Sequence, residues 1–273
     1  MKNLLFLFLF SLALFAAASE KIPAIYTVKG ELDKSVGHIQ GACASQDHLY
    51  LSHMKGIFKL DRNGKVLAHA TTVSHTGDIC FYNGKIYSAV AYYDKARNGR
   101  GAIKEYSADL KELRTYELDN SSDGITAMNG FLYFGIGPNP QKLHRGNKVA
   151  KLPVDMSGKP EIFEIDHGYP THFGVQTMTN DGKNIFMSFY GGGAKNTCHS
   201  AAFTPELKLV KAIKFSASIG FDVFPGAGRA DDPVFFKLCS INKRKEKPLC
   251  RFDFYKYVNG EMVKITKYQE NKK

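Results

Sequence analysis

The chain has 273 residues, with 20 Phe and 14 Tyr but no Trp, and a formal net charge of +11. That length suffices for one good core without requiring two domains, and the aromatic balance suits strands. The charge admits anionic polysaccharide, lipopolysaccharide or nucleic acid as partners. Much of the excess, however, sits in Lys243, Arg244, Lys245 and Lys247 and in Lys264, Lys267, Lys272 and Lys273. These read as a solvated hairpin tip and a frayed end, so no nucleic acid is expected as a partner.

Residues 1–19 read as a signal peptide. Lys2 gives the positive start, Leu4 to Phe15 is almost wholly apolar, and Ala16, Ala17, Ala18 and Ser19 are small. The apolar run is short for a membrane span, and no second one follows. The expected product is secreted or periplasmic, has no transmembrane segment, and consists of residues 20–273 as a single domain acting as a monomer.

After the leader, a unit recurs five times. Its openings are HIQGACAS at Gly41, HTGDICFY at Gly77, SDGITAMN at Gly124, HFGVQTMT at Gly174 and SIGFDVFP at Gly220. A recurrence of roughly 40–50 residues made of strands and turns is what propeller blades produce. In the first unit, Gly41–Ser45 is the inner strand, Leu49–Ser52 and Gly56–Leu60 follow, and Val66–Thr72 is the outer strand. The pairs Asn63-Gly64, Asn83-Gly84, Asn129-Gly130 and Asn259-Gly260 mark hairpins. Ala24–Val28 reads as a stray strand that could close the ring on the last blade. The fold expected is an all-β, five-bladed β-propeller. A six-bladed ring is the alternative, if Ala24–His38 and the C-terminal strands make a partial blade.

Five cysteines, Cys43, Cys80, Cys198, Cys239 and Cys250, lie beyond the leader. Cys239 and Cys250 flank a basic loop and form the expected disulfide. Cys43 and Cys80, on neighbouring inner strands, read as buried thiols.

The residues that open the inner strands are polar and converge on one channel mouth. They are His38, His75, Asp78, Asp123, His172, Gln176 and Asp222. Histidines among carboxylates suit acid–base work or a divalent metal, for which His75, His172 and Asp123 are the candidate ligands. The same groups would equally serve as hydrated structural polars. Three insertions, Tyr92–Gly101, Gly135–Asn147 and Tyr190–Cys198, lie between second and third strands, on the same face as that mouth. They add Tyr92, Tyr93, Arg97, Arg100, Asn139, His144, Arg145, Tyr190 and Asn196, with Tyr169 and His199 nearby. Tyr, Arg and Asn together suit a sugar or a small anion. No GxSxG elbow, HExxH pair or phosphate loop is present, so no catalytic nucleophile is assigned.

Two stretches, HIQGACASQDHLYLS and DGITAMNGFLYFG, give the units a resemblance to the NHL-type and SMP-30-like propellers. The pattern from Gln40 through Ser52 is similar, more distantly, to the five-bladed glutaminyl cyclotransferases. The resemblance spans about residues 35–267 and implies the fold. No position matches the cyclotransferases' catalytic acidic residue, so no catalytic role is carried over. Three functions are open at this point. The first is an exported protein holding a small-molecule or carbohydrate ligand at the channel mouth. The second is a metal-assisted hydrolase, lactonase or lyase at the same place. The third is a docking scaffold with an inert channel.

Overall fold

A computed structural model describes residues 37–265, except 73–74, 94, 97–98, 138–143, 193–196 and 242–248. Twenty strands form five four-stranded antiparallel sheets, and the described residues contain no helix. Blade 1 is β1 (Ile39–Ala44), β2 (His48–His53), β3 (Gly56–Asp61) and β4 (Val66–Thr71). Blade 2 is β5 (His75–Tyr82), β6 (Lys85–Ala91), β7 (Gly101–Ser107) and β8 (Glu112–Leu118). Blade 3 is β9 (Ile125–Met128), β10 (Phe131–Ile136), β11 (His144–Pro153) and β12 (Glu161–Thr171). Blade 4 is β13 (Gly174–Asn180), β14 (Ile185–Gly192), β15 (Thr197–Phe203) and β16 (Leu209–Ile213). Blade 5 is β17 (Phe221–Arg229), β18 (Asp232–Ile241), β19 (Leu249–Val258) and β20 (Glu261–Lys264).

The strands connect in sequence order within each blade, and the inner strands β1, β5, β9, β13 and β17 touch in that order around one axis. The fold is a five-bladed β-propeller. Each blade takes all four strands from its own repeat, so the six-bladed alternative has no sheet among the described residues. Ala24–Val28 and the leader lie outside the described residues.

Hydrophobic burial holds the ring together at its seams. Cys43, Tyr50 and Ile57 pack on Ile79, Ile86 and Tyr106 between blades 1 and 2. Blades 2 and 3 meet at Tyr87, Ile103, Leu132 and Phe134. Blades 3 and 4 meet at Tyr133, Val149, Met187 and Phe189, and blades 4 and 5 at Phe186, Phe215, Phe221 and Phe235. Leu49, Leu51 and Phe58 of blade 1 pack on Phe236, Phe252 and Phe254 of blade 5 and close the circle. Each seam buries several large apolar side chains worth about 1.5–3 kcal/mol apiece. The described ring therefore closes by packing, with no strand shared between its ends.

The turns follow local chemistry. Asn83-Gly84, Asn129-Gly130 and Asn259-Gly260 all have positive φ at both residues, as tight hairpins between right-twisted strands require. Asn63-Gly64 forms a different turn. Gly64 alone has positive φ, and the Asp61 carboxylate accepts hydrogen bonds from the N–H groups of Asn63 and Lys65, each at 2.8 Å.

Strand register corrects the frame of the repeat. The equivalent positions are the buried aromatics Tyr50, Tyr87, Tyr133, Phe186 and Phe235, which face Cys43, Cys80, Thr126, Thr179 and Val223. Gly41 and Gly124 are equivalent, two residues before that layer. Gly77 and Gly174 stand earlier, because irregularities in β5 and β13 insert residues between them and that layer. Gly220 stands one residue earlier in regular register, where Phe221 takes the position of Gly41.

Cys43 and Cys80 are unbridged and buried, as expected, and burial pushes both thiols up. On β18 and β19 the register sets Cys239 opposite Arg251 and Cys250 opposite Ser240, and the Cys250 side chain lies outside the described residues. Lys264, read from the sequence as part of a frayed end, is ordered in β20 and paired with Asp253 at 2.8 Å. No helix among the described residues is long and apolar enough to cross a membrane.

Candidate functional site

The channel has an upper mouth, where the inner strands begin, and a lower mouth, where they turn into the second strands. At the upper mouth, His38 and Gln40 come from blade 1, His75 and Tyr93 from blade 2, Asp123 from the approach to β9, and Gln176 from blade 4. The Gln40 side-chain nitrogen lies 2.6 Å from Nε2 of His38 and 2.8 Å from Nε2 of His75. An amide NH2 has two hydrogens, so it donates to both rings and leaves each ring proton on Nδ1. His75 Nδ1 then points at Asp123 Oδ1 across 3.6 Å and is buried with no hydrogen-bond partner among the described residues. Gln176 donates to the other Asp123 oxygen at 3.3 Å and to the Phe173 carbonyl at 3.4 Å. Burial raises the Asp123 carboxyl, and His75 draws it down. Burial, followed by the neighbouring His75, lowers the His38 imidazole below its usual 6.5.

Aromatic rings border this network. Tyr93, 63 % exposed, sets its ring edge-on to His75 at 5.2 Å between centroids. Phe173 stacks on Tyr190 at 5.3 Å, and His172 stands beside Phe173 at 6.3 Å. Farther out, Tyr169 of β12 stacks on His199 of β15 at 4.2 Å.

His38, His75, Asp123 and Gln176 thus converge as the sequence predicts, and Tyr190 joins them at the rim through Phe173. Gln40 is not among the site residues read from the sequence, although it ties the two histidines together. It lies inside a strand, where its polarity reads as ordinary alternation.

Three other residues stand elsewhere. Tyr92 is 2 % exposed and donates to Glu117 at 3.1 Å. It is a structural residue of blade 2, and its neighbour Tyr93 takes the mouth position. Asp78 is fully buried below the mouth and accepts from the backbone N–H groups of Met178 (2.8 Å) and Ile125 (3.4 Å). Asp222 belongs to the lower mouth. It accepts from the Thr179 hydroxyl at 2.6 Å and the Ala44 N–H at 3.2 Å, both near the ends of their strands. The side chains of His144 and Arg145, and all of Arg97, Asn139 and Asn196, lie outside the described residues.

The proposed metal ligands His75, His172 and Asp123 do not gather into one site. Among the described residues, no group of three or more His, Cys, Asp or Glu side chains could hold a metal ion. His75 and Asp123 face each other, and His172 keeps to the aromatic rim.

No protein-family model and no curated protein matches the sequence. Solved structures do. A glutaminyl cyclase from Myxococcus xanthus is 12 % identical over 81 % of this chain and 92 % of its own, with a TM-score of 0.56. A GH43 protein from Bacillus licheniformis is 11 % identical over 89 % of this chain and 57 % of its own, with a TM-score of 0.59. A gluconolactonase from Xanthomonas campestris is 13 % identical over 84 % of this chain and 75 % of its own, with a TM-score of 0.52. The chain shares their propeller fold. The resemblance drawn from HIQGACASQDHLYLS and DGITAMNGFLYFG is therefore borne out as fold, and at these identities it carries no activity.

Proposed function

We propose that the upper mouth binds a small, neutral, polyhydroxylated ligand of the sugar class. The carrying observation is the 3.6 Å gap between His75 Nδ1 and Asp123 Oδ1, a buried N–H donor facing a carboxylate acceptor with no direct bond between them. A hydroxyl both accepts and donates, so one sugar hydroxyl satisfies the two at once. Gln40 fixes the tautomer that makes His75 the donor. Tyr93 and the Phe173–Tyr190 pair offer ring faces of the kind that pack on the C–H face of a sugar. The carbohydrate-acting GH43 relative and the gluconolactonase are compatible with this reading. The Asp123 carboxylate disfavours an anion at the same place. We read the protein as exported through the Lys2–Ser19 leader, which would present this mouth to extracytoplasmic glycans.

Calorimetric titration with cellobiose, xylobiose and galactose tests the assignment. At least one sugar should bind, and Gln40→Leu and His75→Ala should each weaken it by about tenfold, equivalent to about 1.4 kcal/mol. Binding unchanged in both variants, or no binding by any of the three sugars, would overturn it.

A further inference from the structure

The lower mouth holds a cavity whose lining includes no residue of the histidine network. Its volume is about 330 Å³, at the small end of the range for ligand pockets. The exits of all five inner strands line it, with Phe81, Met128 and Val223 among the apolar wall and Tyr82, Asn129, Asn180 and Asp222 as polar groups. No Lys, Arg or His is in the lining.

Asp222 is the decisive residue. Its carboxylate accepts hydrogen bonds from the Thr179 hydroxyl, the Ala44 N–H and the Val223 N–H, and of its about four lone pairs one remains open. All three donors are neutral, and no cation pairs with Asp222 among the described residues. Arg62, which reaches the Pro225 carbonyl at 2.7 Å, also donates to the Gln46 carbonyl and lies over the Phe224 ring at 4.1 Å. The Asn180 amide hydrogens are spent on Thr126 and the Ala127 carbonyl, so that side chain offers the cavity no free donor. A second buried carboxylate, Asp78, lies close enough to repel Asp222. The cavity is thus a small bowl of mixed polar and apolar wall with an unneutralised carboxylate in its lining, a setting in which charge is costly until it is paired.

We propose that the lower mouth is a binding site for a small organic cation, an ammonium head carried on an apolar body, with Asp222 as its counter-ion. The apolar walls accept the body, and the remaining lone pair of Asp222 accepts an ammonium hydrogen. This site is separate from the upper mouth and independent of the sugar assignment there.

The test is calorimetric titration of the intact protein with benzylammonium, benzyl alcohol and benzoate, which differ in head-group charge on one apolar body. Benzylammonium should bind about tenfold or more tighter than benzyl alcohol, and benzoate should not bind. Asp222→Asn should bring benzylammonium down to the level of benzyl alcohol. Val223→Phe keeps the carboxylate but fills the bowl, and should abolish binding of both, so the idea stays testable if Asp222→Asn fails to fold. Glu164→Gln, which removes an exposed carboxylate on β12, should change nothing. Equal binding of benzylammonium and benzyl alcohol, or full benzylammonium binding to Val223→Phe, would overturn the proposal.

Discussion

The carboxylate of Asp78 accepts a hydrogen bond from the backbone N–H of Met178, 2.8 Å away on a strand two blades farther round the ring. It also accepts from Ile125 on the blade between, so one side chain ties three inner strands together. Its other oxygen is buried without a hydrogen-bond partner. Burial holds this carboxyl well above its ordinary 3.8, and Asp222 adds to the rise. The side chain staples the ring through the two backbone N–H groups it accepts from.

Asp78→Ala should lose about 2–4 kcal/mol, because it strands two buried N–H groups worth about 1–3 kcal/mol each. Asp78→Asn keeps an acceptor for Met178 and should lose less than half as much. Chemical denaturation of the three proteins checks this. Equal losses in Ala and Asn would show that the carboxyl acts through charge and not as an acceptor.

Gly41 lets Asp78 sit where it does. A Cβ at that position would lie 2.6 Å from Asp78 Oδ1, 2.7 Å from its Cα and 2.8 Å from Ser52 Oγ. All three atoms belong to Asp78 and Ser52, both fully buried, so Gly41→Ala should cost about 1–3 kcal/mol. A thermal melt within a degree of the parent protein would refute the crowding.

Asp222 gives the protein a pH signature. Burial raises its carboxyl from 3.8 to about 6. The folded state thus binds this proton more tightly than the unfolded chain, and the stability so gained is full below about pH 4 and lost as pH rises toward 6. In thermal melts between these values, the parent should lose more stability than Asp222→Asn does. Parallel curves for the two proteins would contradict the shift.

Tyr92 and Tyr93 should separate cleanly. Tyr92→Phe removes the bond to Glu117 and should cost about 0.5–1.5 kcal/mol of stability with sugar binding unchanged. Tyr93→Ala, at an exposed position, should leave stability within about 0.5 kcal/mol and weaken sugar binding. Denaturation and calorimetry on both variants decide it, and the reverse pattern would return Tyr92 to the site.

The architecture was legible because its signals are local. Alternation in stretches such as Leu49–Ser52 set the second strands, and Asn-Gly pairs set the hairpins. The site was legible only in part. His38, His75, Asp123 and Gln176 could be placed because each stands at the start of an inner strand. Asp78 was misplaced because the irregularity in β5 breaks the count from Gly77. Asp222 was misplaced because Gly220 stands one residue before the position equivalent to Gly41, so that the count from it is off by one. A shift of one residue turns a side chain to the other face. The same parity separates Tyr92 from Tyr93. Gln40 carries no mark of its role, which exists only once blades 1 and 2 bring two histidines to its amide.

The most direct test of the upper-mouth assignment is histidine ring NMR during titration with the sugar that binds. The Nδ1 and Nε2 signals of each ring report tautomer and hydrogen bonding separately. Without sugar, both rings should carry the proton on Nδ1, and His38 should titrate below 6.5. With sugar, the His75 Nδ1 signal should shift as it acquires a hydroxyl partner, while His167, away from the mouth, stays put. A bound sugar that leaves the His75 Nδ1 signal unmoved would contradict the account.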